Sequence, residues 1–128
     1  MPSWNEYKTI AKERGALAFE LYVSHSTPVV PLDEIKPILP EHFAYQAELE
    51  AQGKLAFAGP LSDETGELME GMGLVIYRAA SLEEARSLAE NDPVHKAGKR
   101  QFVLRRWMIN EGSISLNVKL SEQNVALG

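Results

Sequence analysis

No cysteine occurs in this chain, which excludes disulfides, thiolate metal sites and a cysteine nucleophile. Long apolar runs are missing as well: none approaches the roughly eighteen residues that a membrane span needs. An excess of positive charge is also absent. Thirteen Lys and Arg stand against eighteen Asp and Glu, and a net charge of −5 argues against nucleic acid as the main partner. The opening residues, MPSWNEYKTIAKERGA, hold neither an apolar core nor a small-residue cleavage site, so no secretory leader is expected and the cytoplasm is the default location. No repeat, low-complexity tract or Gly/Ser-rich linker divides the chain.

What is present is ordinary globular material: 128 residues, 45% hydrophobic and 24% charged, enough for a single core. Ser3 with Glu6 forms a capping-box pattern and Gly15 a stop, predicting a short helix striped by Trp4, Tyr7 and Ala11. Residues 16–24 alternate, with Leu17, Phe19, Leu21 and Val23 against Ala18, Glu20 and Tyr22, which predicts a strand. Residues 25–37 carry Pro28, Pro31 and Pro37 and read as a loop that could shape a pocket.

Pro40 opens a second helix and Gly53 closes it. Its Phe43, Ala44, Ala47 and Ala51 form an alanine-rich stripe suited to packing on a sheet; His42, Tyr45 and Leu49 form another that meets a loop, a ligand or a subunit. Residues 54–58 read as a short strand closed by a Gly59-Pro60 turn, and residues 72–78 as the return strand of a hairpin. Ser81-Leu-Glu-Glu84 is a capping box opening a third helix, with Leu82, Ala85, Leu88 and Ala89 on one face. Asp92-Pro93 starts a turn or short helix that ends at Gly98. Residues 101–109 alternate again. After Gly112, residues 113–120 predict one additional strand, and residues 121–128 a loosely held tail.

The order βαββαβ is that of the ferredoxin-like split βαβ arrangement, an α+β fold with both helices on one sheet face. The other face, carrying Tyr22, would be apolar and open, so a homodimer or higher homo-oligomer is expected to cover it. HFAYQAELEAQGKLAFAGPL, residues 42–61, together with DPVHKAG, residues 92–98, resembles the YciI-like (YCII-related) family within the dimeric α+β barrel group. The resemblance covers residues 17–109, leaving an N-terminal helical extension, 1–16, and a C-terminal strand and tail, 110–128.

That resemblance implies that His42 and Asp92 form an active-site pair. Matching positions at Tyr45 and Gly59-Pro60, with Tyr22 on the open face, make Tyr22, Tyr45, Gly59 and Pro60 the candidate substrate-binding residues. The chemistry is coherent, because a carboxylate orients an imidazole for general acid–base work. The bland alternative is that Asp92 only caps a helix and His42 sits at the surface. His25, His42 and His95 lack ligand spacing, so no metal or other cofactor is expected. His95 reads as an extension of the Asp92 cap, and Ser26 has no nucleophile motif around it. The one basic cluster, Lys96, Lys99, Arg100, Arg105 and Arg106, reads as a solvated strand edge, with an anion site as the alternative.

Two function classes remain: a small-molecule enzyme of lyase or isomerase type, and a non-catalytic small-molecule binding or regulatory dimer. Haem binding, known elsewhere among dimeric α+β barrels, is a third.

Overall fold

The structure, a computed structural model, describes residues 1–128. It resolves into two compact units, Glu20–Trp107 and a second made of Met1–Phe19 with Met108–Gly128. The elements run α1 (Trp4–Glu13), β1 (Phe19–Pro28), α2 (Leu32–Ile35), a 3-10 turn (Lys36–Ile38), α3 (Leu39–Ala51), β2 (Leu55–Pro60) and β3 (Gly73–Tyr77). They continue through α4 (Leu82–Glu90), α5 (Pro93–Lys96), β4 (Arg100–Ile109), β5 (Leu116–Lys119) and β6 (Asn124–Leu127).

The larger unit is built on a four-stranded sheet in the order β2-β3-β1-β4. β3 pairs antiparallel with both β1 and β2, so β1 and β2 run parallel, joined by the α3 crossover. This is the ferredoxin-like α+β arrangement. One core cluster holds both long helices against the sheet: Tyr22, Val75, Tyr77 and Leu104 from the strands meet Leu49 of α3 and Ala85 and Ala89 of α4. Burying such side chains is worth roughly 1.5–3 kcal/mol each for the larger ones.

Two expectations about facing are overturned here. Tyr22 is only 4% exposed and lies under the helices, not on the open face. The small Ala85 and Ala89 leave room for the Tyr22 and Tyr77 rings, so size complementarity outweighs the greater hydrophobicity of the alternate set. The same correction applies to α3. Its His42–Tyr45–Leu49 stripe faces inward, while Phe43, Ala44, Ala47 and Ala51 are exposed. A long Leu49 and a Tyr45 ring fill the space above the sheet better than alanines do.

The caps follow the sequence closely. Ser81 Oγ accepts from the Glu84 N–H at 3.1 Å, although the Glu84 carboxylate reaches back to the Ala80 N–H and not to Ser81. α3 ends at Gly53, whose φ of +74° is the left-handed conformation a glycine stop supplies. Gly59-Pro60 closes no turn: both residues lie within β2, paired with Leu74 and Gly73. The close approach belongs to Gly73, where an added Cβ would lie 3.2 Å from the Gly59 carbonyl oxygen.

In the smaller unit, α1 begins with a complete capping box between Ser3 and Glu6. Its Ala11 packs with Ala18 and Met108, bordered by Trp4 and Ala16. The expected single C-terminal strand is instead a hairpin. β5 pairs antiparallel with β6 as a separate two-stranded sheet, so the stretch expected to be a loose tail is a strand. The pairing Leu116↔Leu127 and Val118↔Val125 supplies the backbone partners that a lone β5 would lack.

Candidate functional site

β1 continues past the expected boundary to Pro28, and this places Ser26 opposite Gly73 on the sheet. Tyr22, Ser24 and Ser26 share the helix side by the two-residue period of a strand, and all three are buried. Beyond them the segment expected to be a loop folds into α2 and the 3-10 turn. These elements, the first turns of α3 and the residues before β3 enclose a cavity of about 490 Å³. Leu32, Ile35, Leu39, Phe43, Met69 and Met72 supply apolar wall. The polar groups lining it are few: Ser26, His42, Asp92, His95 and Arg100 chief among them. A cavity of this size with a few convergent polar groups suits a small organic ligand.

His42 Nδ1 lies 2.8 Å from Asp92 Oδ1 and 2.9 Å from Oδ2. The Asp92 side chain is 1% exposed and that of His42 16%. An ionised carboxylate only accepts, so Nδ1 carries the proton and donates it, leaving Nε2 as the ring atom free for chemistry. Asp92 also caps α5, accepting from the Val94 N–H at 3.2 Å. The capping and pairing roles therefore coexist in one carboxylate. Its charge is felt by the tyrosines beneath it. Tyr45 is pushed up to about 12, first by burial and then by Asp92, and Tyr77 is raised in the same way.

A second chain of hydrogen bonds runs beside this pair. His95 Nδ1 is 2.8 Å from the Ala89 carbonyl oxygen, which can only accept, so Nδ1 is the protonated nitrogen. Its Nε2 then accepts from the Ser26 hydroxyl at 2.7 Å. Ser26 Oγ in turn accepts from Arg100 Nε at 2.8 Å. Arg100 Nη2 donates to the carbonyls of Ser26 and Gly71. Burial pushes His95 down, against the raising effects of the Ala89 carbonyl and Asp92. The neutral imidazole that this favours is the form the Ser26 hydroxyl requires.

Of the six residues singled out in the sequence, four meet at the cavity: His42, Asp92, Gly59 and Pro60. Tyr22 and Tyr45 do not. Tyr22 is core, and Tyr45 packs against that core with its hydroxyl donating to the Leu88 carbonyl at 2.7 Å. Three cavity residues escaped the sequence reading. Ser26 was hidden because the prolines of residues 25–37 mask a strand that keeps its period to residue 28. His95 looked like part of a cap. Arg100 read as one of a solvated cluster, with an anion site as the alternative, yet it is half-buried while its neighbours Lys96 and Arg105 are exposed. No group of three or more His, Asp or Glu side chains is placed to hold a metal ion.

Comparisons with known proteins bear on the family and the fold. A family model described as the YCII-related domain matches residues 18–107. The uncharacterized protein YjpA of Bacillus subtilis (strain 168) is 30% identical over 70 residues, covering 55% of this chain and 75% of that protein. A solved structure, 5-chloro-2-hydroxyhydroquinone dehydrochlorinase from Burkholderia phenoliruptrix AC1100 in complex with 2,5-dihydroxybenzoquinone, is similar at a TM-score of 0.55 and 28% identity. That match covers 68% of this chain and 92% of the dehydrochlorinase.

Proposed function

Because the chain belongs to the YCII-related family, we propose that it is a small-molecule enzyme of lyase type in which His42 transfers the proton and Asp92 orients it. The observation carrying this reading is the Nδ1–carboxylate contact at 2.8 Å on the wall of a largely apolar cavity. With Nδ1 committed to Asp92, Nε2 of neutral His42 takes a proton from the bound substrate. The electrons left behind form a new π bond, and the leaving group departs with its own bonding pair. The charge of Asp92 stabilises the imidazolium formed. General acid–base transfer of this kind contributes about 10²–10⁴-fold. The solved relative is a dehydrochlorinase, which supports elimination over isomerisation as the reaction type.

The working form is proposed to be a cytoplasmic homodimer. Val103 and Trp107 of β4 alternate with Phe102 and Leu104, which face the helices, and remain exposed on the other face. A second sheet face of the same kind would cover them. The alternative is a binding or regulatory dimer that uses the same cavity without turnover. It is favoured by the largely apolar wall and by the small number of groups able to move protons.

The experiment is to offer the protein 5-chloro-2-hydroxyhydroquinone and follow chloride release, with 2,5-dihydroxybenzoquinone binding measured in parallel. Chloride release that falls at least about 10²-fold in His42→Gln is the expected result. Binding without release would favour the non-catalytic alternative, and neither binding nor release would overturn the small-molecule reading.

A further inference from the structure

Arg100 stands out among the cavity residues because no carboxylate pairs with it directly, although the charge of Asp92 acts on it from nearby. Its Nε and Nη2 are held by oxygen atoms of Ser26 and Gly71, all neutral acceptors. Nη1 has no hydrogen-bond partner within the chain, and no carboxylate forms an ion pair with the guanidinium. The nearby Asp92 is already engaged by His42 and the Val94 N–H. Other arginines are treated differently: Arg106 pairs with Glu20 and Arg14 with Glu111. A half-buried guanidinium on an apolar wall is costly unless something neutralises it.

The anchoring is also more elaborate than a solvated arginine needs. Ser26 is 4% exposed, and its hydroxyl is fixed as acceptor from Arg100 because it donates to His95, whose own tautomer is fixed by Ala89. Three groups in series, the Ala89 carbonyl, His95 and Ser26, thus hold one edge of the guanidinium and leave the Nη1 end uncommitted. Burial pushes Arg100 down from its ordinary value against the raising effect of the Asp92 charge, and so basic a group stays charged near neutrality.

We propose that Arg100 is the anchor for an anionic oxygen of the ligand, a phenolate, enolate or carboxylate, in the cavity that also holds His42. This rests on the reading of the cavity as a small-molecule site and names its substrate class: a compact, largely apolar molecule bearing an ionised oxygen. Arg100 donates from Nη1 to that oxygen while the apolar walls take the rest of the molecule. Ser26 and His95 act as positioning residues, since they touch Arg100 and each other and set the direction of the fork.

The test compares two probes of like shape by isothermal titration calorimetry on the full chain near pH 7: 2,5-dihydroxybenzoquinone, which ionises, and 2,5-dimethoxybenzoquinone, which cannot. The expected result is a preference of about tenfold or more for the ionised probe. That preference should be lost in Arg100→Gln and partly kept in Arg100→Lys, which retains charge but not the fork. Ser26→Ala, which leaves the charge in place, should weaken the ionised probe alone and keeps the test open if Arg100→Gln fails to fold. Equal binding of both probes, an undiminished preference in the Arg100 and Ser26 variants, or no binding of the ionised probe would each overturn the proposal. Failure of the proton-transfer reading shows elsewhere, as Arg100-dependent anion binding without His42-dependent chloride release.

Discussion

Replacing His42 and Asp92 singly and together measures what the pair is worth. His42→Phe keeps a ring on the cavity wall but removes the Nδ1 donor. Asp92, 1% exposed, would then retain only the Val94 N–H as a hydrogen-bond partner for a buried negative charge. Stranding a charge in this way costs about 3–5 kcal/mol. Asp92→Asn keeps one oxygen, able to accept from both the Val94 N–H and His42 Nδ1 as Oδ1 does now, but it exchanges a charge-assisted hydrogen bond for a neutral one and gives up the second oxygen, a loss of about 1–2 kcal/mol. In the double variant the stranded charge is gone, so the two losses should not add. A coupling energy of about 1–3 kcal/mol is expected from urea unfolding followed by circular dichroism. Because both side chains are largely shielded, the coupling should persist in high salt. Simple additivity, or a coupling that vanishes with added salt, would refute the claim that these residues form one shielded pair.

The cap at Ser81 should contribute independently, because its Oγ satisfies the Glu84 N–H. Ser81→Ala is expected to cost about 0.5–2 kcal/mol, read as a lowered thermal midpoint. His95 gives a pH dependence of definite sign. Its folded value lies below its unfolded value of about 6.5, so above that pH both states are neutral there and nothing is lost. As pH falls through about 6.5 towards the lowered folded value, the unfolded chain binds a proton that the folded chain does not, and stability drops. His95→Gln should therefore lose less stability than the parent between pH 7.5 and pH 5 in parallel urea titrations; equal losses would contradict a buried neutral His95. Trp107 is 43% exposed on the sheet face away from the helices, so if the proposed dimer forms there Trp107→Glu should shift sedimentation from dimer to monomer; an unchanged coefficient would overturn that interface.

Local order was legible in the chain alone wherever a short-range rule governs it. The Ser3, Ser81 and Asp92 caps and the Gly53 stop all stand at positions that the sequence marks, because a cap is decided within about four residues. The order of strands and helices followed from alternation and helical period, and the order in turn implied the split βαβ topology. Which stripe of an element faces inward was not legible. Period identifies the stripes of α3 and the two sides of β1, but the choice between them depends on what the sheet and α4 offer opposite. Here that complement of large Tyr and Leu against small Ala turned His42 inward and Tyr22 into the core.

The candidate site divides along the same line. His42 and Asp92 lie fifty residues apart, and residue types with family likeness sufficed to pair them. Ser26, His95 and Arg100 belong to β1, α5 and β4, and nothing local in any of those segments refers to the other two. Their meeting is a property of strand order and register: β4 lies beside β1, so Arg100 can reach Ser26, and α5 holds His95 against the same serine. A hydrogen-bond chain of this kind exists only once those elements are packed, because each of its links is fixed by the one before it.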